Sequence, residues 1–340
     1  MKLRRILTSV LALLLLCGCS GQAAQESVSP EPDQDQMYID AVAVADLEDI
    51  EDEAVALSAA PAPALSTVLS PVAAGTQVAK KGQAVVDYSN TQDGYVMVKC
   101  SSTRQLKVRV FGPSYAVNET KYTYDLTSGV WATLPLSDGN GAYKVVVYEQ
   151  APNTTKYATA LTANFSVTLK DEFAPFLRPN QYVNYEYANE TLYMAGQLTQ
   201  GIDDPLEKVA KVYDYVVNNL TYDHEKANRA KNGKMADFIP VLDDVLMAKK
   251  GICFDYAALM TGMLRSQGVP CKMVIGYAGK EYHAWVSVWT AETGWVEGAV
   301  YFDGVSWQRM DPTFISSGKN SAKIQAYVAD GSHYNAMYLY

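Results

Sequence analysis

The spacing of apolar side chains changes once along this 340-residue chain, and that change limits the fold more than any other feature. Five runs alternate apolar with polar positions: 84–88, 95–100, 106–111, 143–148 and 161–169. A period of two puts one face of a strand against a core. Turn chemistry separates the runs, at Gln92-Asp93-Gly94, Gly112-Pro113 and Asp138-Gly139-Asn140-Gly141. From Pro205 the period lengthens, and Leu206, Val209, Val212, Val216 and Leu220 recur at the three- and four-residue steps of a buried helical stripe. Asp203 or Asp204 can cap that helix, with Pro205 suited to its first turn. A chain that reads first as all-β and then as mixed needs two cores, which its length allows. The expected units are a β domain over 80–171 and an α+β domain over 172–340.

Short strands at this density over about ninety residues predict an antiparallel β-sandwich. In architecture it resembles immunoglobulin or fibronectin-like modules, without a Cys-Trp-Cys framework. No charged or aromatic cluster stands out within it, so a spacer is the expected role and a binding module the alternative.

The residues ahead of the β domain read differently. Lys2, Arg4 and Arg5 form a positive start, and the apolar stretch 6–18 is shorter than the roughly 20 residues of a spanning helix. This is the pattern of a secretory signal peptide, residues 1–19. Its end, Leu16-Cys17-Gly18-Cys19, is similar to a bacterial lipoprotein box, which implies lipidation of Cys19 and a protein held outside the cell on its membrane; a soluble secreted protein is the alternative. Residues 20–79 hold eleven acidic and no basic side chains, with Pro30, Pro32, Pro61, Pro63 and Pro71. Such a stretch buries too little apolar surface to offset chain entropy and predicts a disordered, self-repelling spacer, although 42–57 could form a short acidic helix.

The net charge of −9 belongs to that spacer. Of 28 basic and 37 acidic residues, three basic ones precede Ser20 and eleven acidic ones lie in 20–79, leaving 25 and 26 in the remainder. A nearly neutral body without a basic patch excludes an electrostatic case for nucleic acid.

The chemistry concentrates late in the chain. After Gly251, apolar positions Ala257, Met260 and Leu264 run at helical spacing from Cys253 until Gly268 and Pro270 stop them. Cys253 is therefore expected in the first turn of a helix, where the positive dipole end favours a thiolate. A small buried hydrophobe is the competing reading for a lone cysteine. Strands are expected over 273–277 and 283–289, with His283, Trp285, Ser287 and Trp289 sharing one face. Phe302-Asp303-Gly304-Val305 reads as a hairpin turn into a strand ending at Asp311. Helix-borne cysteine, strand-borne histidine and a later aspartate suit an imidazole that takes the thiol proton while a carboxylate fixes its tautomer. His224 and His333 lack such a context. Past the signal peptide and Cys19, three cysteines remain (Cys100, Cys253 and Cys271), an odd number, so at least one is unpaired.

Taken in order, Lys250-Gly251-Ile252-Cys253-Phe254-Asp255-Tyr256-Ala257, Leu264-Arg265-Ser266-Gln267-Gly268-Val269-Pro270, Tyr282-His283-Ala284-Trp285 and Met310-Asp311-Pro312-Thr313 resemble the core of the transglutaminase-like superfamily. The similarity covers about 205–314, including the helix that ends in Leu220-Thr221-Tyr222-Asp223. It implies a papain-like α+β core with a catalytic triad of Cys253, His283 and Asp311, and Asp303 as the fallback carboxylate because 290–305 lengthens the usual gap. It further implies thioester chemistry on protein or peptide amides, cell-wall peptides among them. The thioester would be resolved by an amine or by water, with the Cys253 backbone N–H as one oxyanion donor. Trp285 and Trp289 are read as core aromatics, with a cleft lining as the alternative. No cofactor and no metal are expected, since three scattered histidines give no ligand spacing, and the calcium dependence of animal relatives does not carry over. A cysteine protease with the same triad and a non-catalytic binding module stand beside the acyltransferase reading.

Overall fold

The computed structural model describes residues 68–235, 238–291, 294–296, 300–302, 307–309 and 334–340. The signal peptide with Cys19, spacer residues 20–67, Asp303 and Asp311 lie outside the described residues.

The β half contains β1 (Val78–Lys81), β2 (Ala84–Asp87), β3 (Tyr95–Lys99), β4 (Leu106–Phe111), the short helix α1 (Tyr115–Asn118), β5 (Tyr122–Leu126), β6 (Ala132–Pro135), β7 (Gly141–Gln150) and β8 (Tyr157–Val167). These make two four-stranded antiparallel sheets, ordered β1-β2-β3-β6 and β5-β4-β7-β8, whose inward side chains share one apolar core. All five alternating runs are strands. β5 carries the same signal in Tyr122-Thr123-Tyr124-Asp125-Leu126, with alternate residues buried. β1 and β6 are short, and their burial does not alternate.

Ordered contacts begin ahead of Lys80, inside the expected spacer. Asp87 is buried and needs donors, and the Gly75 and Ser89 N–H groups supply them at 2.6 and 3.0 Å. The Val72 N–H donates to the Tyr95 hydroxyl at 3.1 Å. A buried carboxylate on β2 thus draws residues from about 72 onward onto the sheet.

The second half runs α2 (Asn189–Leu198), α3 (Pro205–Asn219), β9 (Thr221–Tyr222), α4 (His224–Lys231), α5 (Leu242–Ala248), β10 (Lys250–Gly251), α6 (Cys253–Ser266), β11 (Cys271–Ala278), β12 (Glu281–Thr290), β13 (Gly294–Val296), β14 (Val300–Phe302), β15 (Trp307–Arg309) and β16 (Tyr334–Leu339). Of the two candidate caps for α3, Asp204 does the work, accepting from the Leu206 and Glu207 N–H groups. Val209, Val212 and Val216 face the core as their spacing requires. β14 and β15 pair antiparallel with Phe302 opposite Trp307, flanking the expected turn.

Every residue of α6 is buried, which makes it the central helix of this half. It packs against α2, α3 and α5 on one side and β11 and β12 on the other. Gly268, at φ +77°, ends it in the left-handed conformation that glycine adopts without steric cost, and the Val269 N–H returns to the Leu264 carbonyl. The sheet order is β13-β12-β11-β16, so the last strand lies beside β11.

Aromatic rings join the halves. Tyr122 and Tyr124 of β5 pack on Tyr340, at 5.7 and 5.9 Å between ring centres, and Tyr124 stacks on Tyr182 at 5.5 Å. The expected spacer domain is therefore docked on the α/β core by buried tyrosines.

Candidate functional site

Short parallel pairing delivers Cys253 to its place. Lys250 and Gly251 of β10 lie opposite Thr221 and Tyr222 of β9, and the Asp223 N–H donates to the Gly251 carbonyl at 2.8 Å. The chain then enters α6, whose first residue is Cys253, fully buried. Two residues on, the Asp255 carboxylate turns back to accept the Ile252 N–H at 2.8 Å and pairs with the Lys226 ammonium of α4 at 2.7 Å. Lys226 in turn lies 3.9 Å over the Phe238 ring.

Asp255 is wholly buried, and its Oδ1 has no hydrogen-bond partner. Burial holds its carboxyl above the usual carboxylate range, outweighing the pull of Lys226 in the other direction. A carboxyl raised in the folded state binds its proton more tightly there than in the unfolded chain. Its contribution to stability therefore falls as pH climbs from the ordinary carboxylate range through the raised value, and returns on acidification. Asp255→Asn does not titrate, so the stability of wild type relative to this variant is expected to decline over that window and level off above it, as read by urea denaturation across acid pH. Asp255→Ala strands the ammonium and the Ile252 N–H together, at a cost of about 2–4 kcal/mol.

His283 is in β12 and is 2% exposed. It shares its face with Trp285 and Ser287, both buried, as alternation requires. Burial pushes the hydroxyl of its neighbour Tyr282 well up, with further rises from Tyr338, Tyr277, Tyr182 and Cys253. The helix of Cys253 packs on the strand of His283.

Opposite His283 in the register stands Gly276 of β11. A Cβ there would collide with the Asn335 carbonyl and fall 2.8 Å from the Trp285 ring, so only glycine lets β16 and Trp285 close in beside the histidine. Gly276→Ala is expected to destabilise by about 1–3 kcal/mol and to expose the β16 amides to hydrogen exchange first.

All three described cysteines are free and buried. Cys271 is a packing residue: its sulfur approaches the Thr261 hydroxyl at 3.7 Å, and burial pushes its thiol up to about 12. Trp289 is capped by Phe173, 4.3 Å between ring centres, and Trp285 is core. Asp255, Lys226 and Gly276 were not singled out by residue type. An acidic residue three positions after the N-cap is the available signal for the first of them.

A helix that starts on a buried cysteine is thus packed against an antiparallel sheet that carries a buried histidine. Residues 193–312 match the family model of the transglutaminase-like superfamily. The chain is 33% identical over 123 residues to the Bacillus subtilis protein YebA, covering 30% of this chain and 16% of that one. It is 36% identical over 70 residues to a Pseudomonas aeruginosa protein-glutamine gamma-glutamyltransferase, covering 16% of this chain and 10% of that enzyme. It therefore spans under a fifth of the length of either relative. Among solved structures, red sea bream transglutaminase aligns with a TM-score of 0.24 at 16% identity, covering 64% of this chain and 48% of that one. A Cytophaga hutchinsonii protein with a provisional cysteine-protease description aligns with a TM-score of 0.36 at 13% identity, covering 72% and 83%.

Proposed function

We propose that the chain is a cell-surface thiol enzyme that performs acyl transfer or hydrolysis on protein or peptide amides, with Cys253 as nucleophile and His283 as general base. The observation that supports it is the placement of Cys253 as the first residue of a central helix packed against the strand of His283. Asp311 is assigned to orient the imidazole, with Asp303 as the alternative carboxylate. Cys253 sulfur adds to the amide carbonyl, and the carbon–nitrogen bond breaks as His283 returns the proton to the leaving nitrogen. The thioester then passes its acyl group to an amine, or to water with His283 again taking the proton. The Cys253 backbone N–H, at the start of α6, is one donor to the oxyanion. Anchorage through lipidated Cys19 and the acidic spacer that follows it would hold this site outside the membrane, and the β half is read as an immunoglobulin-like module.

The test incubates the full chain with a glutamine- and lysine-containing peptide library and reads products by mass spectrometry. Crosslinked peptides with loss of ammonia mean acyl transfer, replacement of ammonia by water without crosslinking means deamidation, and new termini mean proteolysis. No turnover in any channel, with Cys253 no more reactive toward iodoacetamide than free cysteine, would overturn the enzyme reading in favour of a binding module.

A further inference from the structure

We infer that Tyr182, seated by β5 of the β half, is a positioning residue that sets the start of the Cys253 helix against the sheet that carries His283. On one side Tyr182 belongs to the β half. Its ring stacks on Tyr124 with planes 23° apart, and its hydroxyl donates to the Thr123 carbonyl at 3.4 Å. The preceding residue, Gln181, donates its backbone N–H to the Thr133 carbonyl at 3.1 Å and its amide to the Asp125 carbonyl at 2.5 Å. On the other side Tyr182 belongs to the site. Its ring centre is 5.7 Å from that of Phe254, the residue after Cys253, and 4.8 Å from that of Tyr340.

Through Tyr340, which follows β16, Tyr182 also meets the sheet that carries β12. A turn with little freedom supports it: the side-chain Oδ1 of buried Asn180 accepts both the Tyr182 and Val183 N–H groups at 3.0 Å. One side chain thus bears on the helix start, the edge of the His283 sheet and a sheet of the other half. Thiol and imidazole must meet within a fraction of an ångström, and a misplacement of about 1 Å costs on the order of a hundredfold in rate. The β half is then part of the site's frame, which a spacer would not need to be.

This inference rests on the thiol reading, and the variants separate the two. In the full chain, Tyr182→Leu is expected to lower kcat by about 10- to 100-fold with KM held within about threefold. The same variant is expected to change the iodoacetamide rate at Cys253, read on the Cys253 peptide, by at least about threefold. Phe165→Leu, which breaks the Tyr88–Phe165 stack at 5.1 Å inside the β half, should lower the melting temperature and leave both quantities alone. Tyr124→Leu alters no residue of the α/β core and carries the same expectation as Tyr182→Leu, which keeps the test open should the latter fail to fold. Wild-type kcat and alkylation in both tyrosine variants would overturn the inference alone, as would equal losses in Phe165→Leu. Full activity of Cys253→Ala would overturn the thiol reading and this inference with it.

Discussion

Cys253→Ala is expected to abolish amide turnover, by at least about a thousandfold, in a protein that remains folded. In the proposed reaction the sulfur forms the thioester, and the other free cysteines are in no position to replace it. Cys271 is held against Thr261 with its thiol pushed up to about 12, and Cys100 lies at the end of β3 in the β half. Substitution by alanine removes one buried sulfur and costs on the order of 1 kcal/mol, so circular dichroism and the unfolding midpoint should change little. Acid quenching of the wild type during turnover should trap an acyl adduct on the Cys253 peptide, and the variant should show none. Residual turnover near the wild-type rate would remove Cys253 from the chemistry.

Arg265→Met is expected to be the most destabilising single change, at about 3–5 kcal/mol. Arg265 is 3% exposed, and its guanidinium donates to the Cys271 carbonyl at 2.8 Å, the Arg178 carbonyl at 2.9 Å and the Tyr340 carbonyl at 2.6 Å. Burial lowers its affinity for the proton, and the three carbonyls offset the cost of a buried charge. Methionine fills similar volume and removes that cost, but takes the guanidinium donor from the Cys271 and Arg178 carbonyls and leaves the Tyr340 carbonyl with the Met273 N–H, each lost bond costing about 1–3 kcal/mol. Arg265→Lys keeps the charge without the planar fork and should recover only part of the loss. Urea unfolding measures both. A midpoint within experimental error of wild type for Arg265→Met would mean that the end of α6, the 178 segment and the last strand are held by packing alone.

What was legible in the sequence was whatever depends on near neighbours. The start of α6 at Cys253, its stop at Gly268 and the two strands that follow come from periodicity and from a glycine able to turn the chain. β5 carried an equally plain alternation and was missed, while β1 and β6 do not alternate in burial. The Asp255–Lys226 pair, the Gly276 contact and the three-way hold of Arg265 were not legible. Each joins residues far apart along the chain: Arg265 reaches 87 positions back to Arg178 and 75 forward to Tyr340. Nothing in the local pattern names the partner. Cysteine parity said only that one of three thiols must be unpaired, whereas all three are free.

By itself the sequence determined that the chain has a β half followed by an α/β half, and that one cysteine opens a helix and one histidine lies on a strand. Local hydrophobic period and turn chemistry suffice for that, because they act within a few residues. Only the tertiary structure decided that the β half docks on the core through Tyr122, Tyr124, Tyr182 and Tyr340. It also decided that a buried carboxylate and ammonium hold the helix start beside Cys253, and that His283 faces a glycine. These follow from which surfaces exclude water together and which buried polar groups must find partners, conditions set by the packed chain as a whole.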